Sequence, residues 1–310
     1  MLTAGEAMGA VRADGMVRHG PSAHLSVAGA ESNVAIGLAR LGHRARWVGV
    51  LGDDQFGALV LRTLRAEGVD TESVRVHPAP TGVLVSEPRV AGLARVDYHR
   101  AGSAGSLLSA DDIRDALTPE PRILHLTGVT PALGEGPASA VRTAATAAAE
   151  RGITVSLDVN YRRTLWTADQ ARATLGPLVG TLDIVFASEG ELALIAPDGA
   201  DLAGRVKSLL AVGVTTVVVK RGPEGASAYT SEGVVDASAR PVTAVDPIGA
   251  GDAFVAGYLS CLLDGLPLQE RLARATTVAA FVVASHGDWE GLPTRTELPM
   301  LDRPPGDVVR

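Results

Sequence analysis

The residues best placed to do chemistry stand at Gly249-Ala-Gly-Asp252, inside the segment Ala244-Val-Asp-Pro-Ile-Gly-Ala-Gly-Asp-Ala-Phe254. Gly249, Ala250 and Gly251 lack bulk where a backbone would have to come close to a ligand. An apolar helical pattern follows. Consecutive amides at that helix N-terminus would offer unsatisfied N–H donors and a positive dipole end to a phosphate. Asp252 falls in the first turn, where the dipole is expected to keep it ionised and ready to accept a proton from a hydroxyl. Binding a phosphoryl group and activating its acceptor side by side is most of what phosphoryl transfer requires. The same residues also suit a tight strand-to-helix turn with Asp252 as a cap, and the motif alone leaves both readings open. A dinucleotide-binding loop fits less well, because Phe254 takes the place of the third glycine and the loop lies late in the chain. No Walker-type Gly-Lys-Ser/Thr sequence occurs.

The elements that must position these residues alternate. Arg46–Leu51, Arg122–Leu126, Thr154–Asp158, Asp183–Phe186 and Thr216–Lys220 read as buried strands. Between them lie helical patterns near 31–41, 54–67, 136–151, 168–178, 201–212, 250–264 and 267–284. Near-continuous apolar strands separated by helices predict an α/β fold, a mostly parallel sheet covered by helices on both faces. Residues 11–28 and 80–101 break the pattern, being strand-like and turn-rich with no helix between their strands. Thr81–Val85 and Ala94–Tyr98 read as a hairpin joined through Pro88 and Gly92. The expectation is a single domain over residues 1–310 with a small β lid formed by 11–28 and 80–101, ending in a loose terminus at Arg303-Pro-Pro-Gly-Asp307.

Two segments carry a family resemblance. Val245-Asp-Pro-Ile-Gly-Ala-Gly-Asp-Ala-Phe-Val-Ala-Gly257 resembles the C-terminal signature of the ribokinase-like (PfkB) carbohydrate kinases. Ala28-Gly-Ala-Glu-Ser-Asn-Val-Ala-Ile-Gly-Leu-Ala-Arg-Leu-Gly42 resembles their N-terminal signature, and the two lie more than 200 residues apart in the right order. The resemblance implies a ribokinase-like fold with a β lid, ATP and Mg2+ as cofactors and, in some members, a monovalent cation near Asp246 and Ile248. It implies Asp252 as catalytic base and the amides of Ala250, Gly251 and Asp252, opened by Gly249, as an anion hole. Ser188-Glu-Gly-Glu191 resembles the Asn-x-x-Glu motif that organises magnesium, with Ser188 standing where the motif has Asn; Glu191 is the implied metal-organising residue. Lys220-Arg-Gly-Pro-Glu-Gly225 resembles the nucleotide loop, where Gly222 and Gly225 would let the backbone approach the nucleotide. Read without the resemblance, the plain alternative for Glu191 is a solvated charge in the first turn of a helix, and for Lys220 a solvated charge at a strand end.

The substrate end is carried by three segments. Gly29, Ala30 and Asn33 stand at a helix start that, in the family, contacts substrate hydroxyls; the plain alternative for Asn33 is a helix brace. Tyr98-His-Arg-Ala-Gly-Ser-Ala-Gly-Ser106 and Asp158-Val-Asn-Tyr-Arg-Arg-Thr-Leu-Trp166 resemble segments of 2-keto-3-deoxygluconate kinases. Arginine recognises a carboxylate through paired hydrogen bonds. Arg100 and Arg162 are therefore expected on the acid group of a small sugar acid, with Tyr98 and Asn160 on hydroxyls; in an arginine-rich chain the plain alternative is surface charge. The rival readings are a kinase for fructose, ribose or a nucleoside, an inactive sugar-binding regulator, and more distantly a dinucleotide-dependent oxidoreductase.

Composition sets the outer limits. The net charge of −7 argues against a broad nucleic-acid surface. The single cysteine, Cys261, excludes an internal disulfide and suits a reducing compartment. No basic-then-apolar leader opens the sequence and no apolar run approaches a membrane span of about 20 residues, so a cytoplasmic protein without membrane partners is expected. A homo-oligomer is also expected, since an exposed sheet edge of the lid could pair between protomers. Only two lysines occur, Lys207 and Lys220.

Overall fold

The computed structural model describes residues 1–90, 94–196 and 198–303. Gly92 of the expected hairpin and residues 304–307 of the expected loose terminus lie outside the described residues. The chain opens with β1 (Leu2–Ala4), β2 (Met8–Ala13), β3 (Ala23–Ala28) and α1 (Ala30–Arg40), then β4 (Arg46–Val48), β5 (Val50–Gly52) and α2 (Gln55–Ala66). Next come β6 (Arg75–His77), β7 (Val83–Pro88), β8 (Ala94–His99), α3 (Ala110–Ala116), β9 (Ile123–Thr127), α4 (Glu135–Glu150), β10 (Thr154–Asp158) and α5 (Ala168–Leu175). The last part runs through β11 (Ile184–Ser188), α6 (Glu189–Leu192), α7 (Leu202–Ala211), β12 (Thr216–Lys220), β13 (Ala226–Thr230), β14 (Gly233–Ala237), α8 (Ala250–Leu263) and α9 (Leu268–Val283).

Eight strands form the main sheet in the order β14-β13-β12-β11-β10-β9-β1-β4. The strands from β4 to β12 in that order pair in parallel, while β13 and β14 close one edge antiparallel. Their sequences explain the burial on both faces. In β12, Val217 and Val219 enter one core layer and Val218 enters the other, all fully buried. One layer is roofed by α4, α5 and α7, the other by α1, α8 and α9. Helix α8 is apolar nearly all round and is buried from Asp252 to Cys261. The strand order reverses at β1, which lies between β4 and β9, and such a switch point opens a crevice at the strand carboxyl ends.

A second, small sheet has the order β3-β2-β7-β8. The pairing of Val83 with His99 and of Pro88 with Ala94 makes β7 and β8 the expected hairpin. Phe56, in the first turn of α2, packs on the bare backbone of Gly9, where a Cβ would meet its ring at 2.1 Å. The loop after α9 ties this sheet to the body. Arg12 Nη2 donates to Asp288 Oδ1 at 2.7 Å, Trp289 Nε1 donates to the Val27 carbonyl at 3.1 Å, and the Ser26 hydroxyl donates to the Glu290 carboxylate.

The expected strand 46–51 is two strands in different sheets. Gly49 separates them, because the chain passes so close to Gly5 that a Cβ at 49 would lie 2.6 Å from the Gly5 carbonyl. Beyond it, β5 leaves the main sheet and pairs with β6. Strand β1, helix α3 and the β13–β14 hairpin have no counterpart in the sequence reading.

Candidate active site

The loop Asp246–Gly249 delivers the chain to α8 in a tight turn: Asp246 Oδ1 accepts the Ile248 amide at 3.0 Å, and Gly249 adopts φ 78°. A side chain at 249 is excluded twice over, since a Cβ there would lie 1.9 Å from the Asp288 carbonyl oxygen. In the first turn of α8 the amides of Gly251 and Asp252 have no intrahelical acceptor. The third expected donor, the Ala250 amide, is turned towards the Pro247 carbonyl at 3.3 Å.

Asp252 is buried at the start of this helix and accepts from Asn33 Nδ2 at 2.8 Å. Asn33 therefore does not cap α1; it reaches across to the other helix, and its own Oδ1 is buried without a partner. Burial pushes the Asp252 carboxyl up to about 7, with the Asp158 charge adding to the rise and the Asn33 hydrogen bond, Arg162 and Lys220 opposing it. The helix dipole expected to keep Asp252 ionised is thus opposed by its burial at the start of α8.

Asp252 opens into a cleft at the switch point, which brings together Gly29, Ala30, Asn33, Tyr98, Arg100, Arg162, Gly249 and Asp252 of the expected site. Gly29 is needed for close approach, because a Cβ there would lie 2.5 Å from the Glu6 carbonyl. The Arg100 guanidinium packs over the Tyr98 ring at 5.5 Å. It is not a free cation: Nη2 donates to the Glu6 carboxylate. Arg162 is exposed and makes no ion pair among the described residues. Glu6 and Asp288 also line the cleft, and neither was legible as a site residue. For Glu6 the available signal was one charge in the apolar opening Met1–Val11. For Asp288 there was none.

Of the remaining expected residues, Asn160, Ser188, Glu191 and Lys220 form a second cluster around Asp158. Lys220 Nζ donates to Asp158, whose side chain is 2% exposed, and it lies 3.7 Å from where a Cβ of Gly251 would stand. Asp158, also missed by the sequence reading, accepts the Asn160 amide at 3.2 Å. Asn160 is left-handed at φ 38° and shapes the turn after β10 rather than lining the cleft. Glu191 accepts from the Ser188 amide at 2.7 Å, the Ser188 hydroxyl at 2.8 Å and the Tyr161 amide at 2.8 Å. Burial alone would raise its carboxyl, but the Lys220 charge and these hydrogen bonds hold it below the ordinary value. Ser188 therefore caps α6 in a reciprocal box with Glu191. Gly222 is exposed, and Gly225 serves the β12–β13 turn, where a Cβ would meet the Ala237 carbonyl at 2.0 Å.

A pfkB family carbohydrate kinase model matches residues 4–295. The chain belongs to the PfkB family of carbohydrate kinases. The 2-dehydro-3-deoxygluconokinase of Bacillus subtilis is 37% identical over 278 residues, covering 88% of this chain and 85% of its own length. Among solved structures, a PfkB protein from a Polaromonas species is 36% identical with a TM-score of 0.86, covering 96% of this chain and 98% of the other. A putative ribokinase II from E. coli, in complex with ATP and Mg2+, is 26% identical with a TM-score of 0.89, covering 97% and 98%. The ribokinase-like architecture of a mostly parallel sheet with a separate small one is common to this group, and the protein is a carbohydrate kinase.

Proposed function

We propose that this PfkB kinase phosphorylates a small sugar acid with ATP, converting 2-dehydro-3-deoxy-D-gluconate to its 6-phosphate with release of ADP. One observation carries the reading: a buried carboxylate at the N-terminus of α8, Asp252, shares a cleft with two arginines, Arg100 and Arg162. Asp252 takes the proton of the attacking hydroxyl as that oxygen bonds to the γ-phosphorus and the bond from phosphorus to the bridging oxygen of ADP breaks. Asn33 holds the carboxylate in place, and its unpartnered Oδ1 is free to accept from a second substrate hydroxyl. The amides of Gly251 and Asp252 donate to the phosphoryl oxygens, joined by Ala250 on release from its long bond to Pro247. Lys220, beside Gly251, adds positive charge, and the backbone of the Lys220–Gly225 loop lies along the nucleotide. The arginines and Tyr98 hold the acid end, with Arg162 placed to reach the phosphates as well.

Magnesium, when bound, would supply positive charge to the triphosphate. Glu191, held ionised at the edge of this cluster, would organise the ion through water. No group of three or more His, Cys, Asp or Glu closes on a metal among the described residues, which suits an ion carried mainly by phosphates and water. For the monovalent cation that some family members bind, the Asp246 carboxylate and the Ile248 carbonyl supply the oxygen donors that suit it. The reading extends to a cytoplasmic homo-oligomer pairing through an edge of the small sheet, which sizing in solution tests. Among the described residues no helix is long and apolar enough to cross a membrane.

An ATP-consumption panel decides the substrate. Sugar acids should be turned over at least about 10-fold more efficiently than fructose or ribose, the lower bound for one charge-assisted contact. Equal use of a neutral sugar would leave a carbohydrate kinase without acid selectivity. That second reading has its own support, because Glu6 already neutralises Arg100.

A further inference from the structure

Of the charged groups of the cleft that phosphoryl transfer does not use, Glu6 and Asp288, Glu6 is the one the fold encloses more tightly. Its side chain is 1% exposed. One oxygen accepts from Arg100 Nη2, and the other accepts from the Ser103 hydroxyl at 2.7 Å. The socket around it is bare backbone. A Cβ at Gly105 would lie 2.4 Å from Glu6 Cγ, and a Cβ at Gly82 would lie 3.0 Å from Glu6 Oε1. The carboxylate therefore cannot move aside, and the guanidinium bound to it is fixed. Arg100 retains donors: a guanidinium carries five N–H groups, and Arg100 Nε is buried with no protein acceptor.

We propose that Glu6 is a specificity-determining positioning residue, holding Arg100 as an oriented, charge-neutralised donor so that the cleft selects a carboxylate by hydrogen-bond geometry and not by net positive charge. This rests on the sugar-acid reading above and deepens it. A cleft with an uncompensated Arg100 would collect any small anion. With Glu6 in place, an anion gains little at Arg100 unless its oxygens meet the fixed N–H groups while its hydroxyls meet Asn33 and Asp252. Glu6 thus accounts for a guanidinium being buried beside a carboxylate in a site meant for an acid.

The test compares wild-type enzyme with Glu6→Gln, which keeps the shape and the acceptor for Arg100 but removes the charge. Glycerate, a small hydroxy acid without the sugar frame, serves as competitor against 2-keto-3-deoxygluconate. In Glu6→Gln the inhibition constant for glycerate should fall at least about 5-fold, with the KM for the neutral sugar unmoved and kcat changed less than the inhibition constant. The gain should vanish in the Glu6→Gln/Arg100→Ala double variant, which a merely structural role of Glu6 would not produce. An unchanged inhibition constant in a folded Glu6→Gln enzyme overturns the proposal. Arg100→Lys, made with Glu6 intact, asks the same question without touching Glu6. Selection by geometry predicts that it loses acid preference as fully as Arg100→Ala, whereas a retained preference means that charge selects, and the proposal fails. If wild-type enzyme uses no sugar acid at all, it is the substrate reading that falls; a wild-type acid kinase insensitive to these changes removes Glu6 alone.

Discussion

Asp252 lies between two opposing influences, a helix N-terminus that favours its charge and a buried position that disfavours it; at its depth in α8 burial prevails, and its carboxyl rises to about 7. As the proposed base it must be deprotonated, so activity should be lost as pH falls through that value. The profile of kcat/KM, which reports the free enzyme, should climb with unit slope to about pH 7 and then level. Asp252→Asn should lower kcat at least about 10²-fold with ATP affinity largely kept; near-wild-type turnover by the folded variant would remove the base assignment. Arg100→Ala should raise the KM for the acid roughly 10- to 150-fold and leave that for ATP alone, while Arg162→Ala should raise both, as its proposed reach to the phosphates requires. The start of α8 with its buried aspartate was legible because glycines and an aspartate before an apolar helix form a local pattern. Glu6, Asp158 and Asp288 were not, because each acquires its meaning from a partner dozens to hundreds of residues away: Arg100, Lys220 and Arg12. No local periodicity records such pairings.

At the scale of elements, the start of α8 depends on a glycine that nothing else can replace. Gly249→Ala combines a left-handed backbone with a collision against the Asp288 carbonyl and should cost about 2–4 kcal/mol, read as a lowered thermal midpoint. The loss of kcat should exceed what the stability change alone explains, because the amides proposed to bind the phosphoryl group follow directly. The small sheet gives a different test. If it closes over the sugar, hydrogen exchange in β2, β3, β7 and β8 should slow on adding substrate more than in β9, and equal or absent protection would end its role as a lid. Long helices were read almost to the residue, since a 3.6-residue apolar repeat over ten or more positions is hard to counterfeit. Three-residue strands were not: Leu2–Ala4 is too short to show a period, and the break at Gly49 is imposed by Gly5 passing alongside.

Across the whole molecule, two signatures more than 200 residues apart in sequence meet at one hydrogen bond, Asn33 to Asp252, because the sheet reverses its order at β1 and both helix starts face the same crevice. The fold class followed from strands apolar on both faces, as in β12, where one valine serves one core layer and its neighbours the other. The lysine count has a practical consequence. Only Lys207 and Lys220 carry side-chain amines; Lys207 is exposed on α7, whereas Lys220 is 20% exposed and held by Asp158. An amine-acylating reagent used sparingly should therefore mark Lys207 first and leave turnover intact, with loss of activity tracking the later, slower label on Lys220. Peptide mass mapping at matched times would show the order, and turnover that survives labelling of Lys220 would mean that Lys220 has no part in the reaction. Each molecule thus carries an innocent tag and a sentinel in a single digest, and slower labelling of the sentinel on adding nucleotide is the outcome that the proposed nucleotide site beside Lys220 requires.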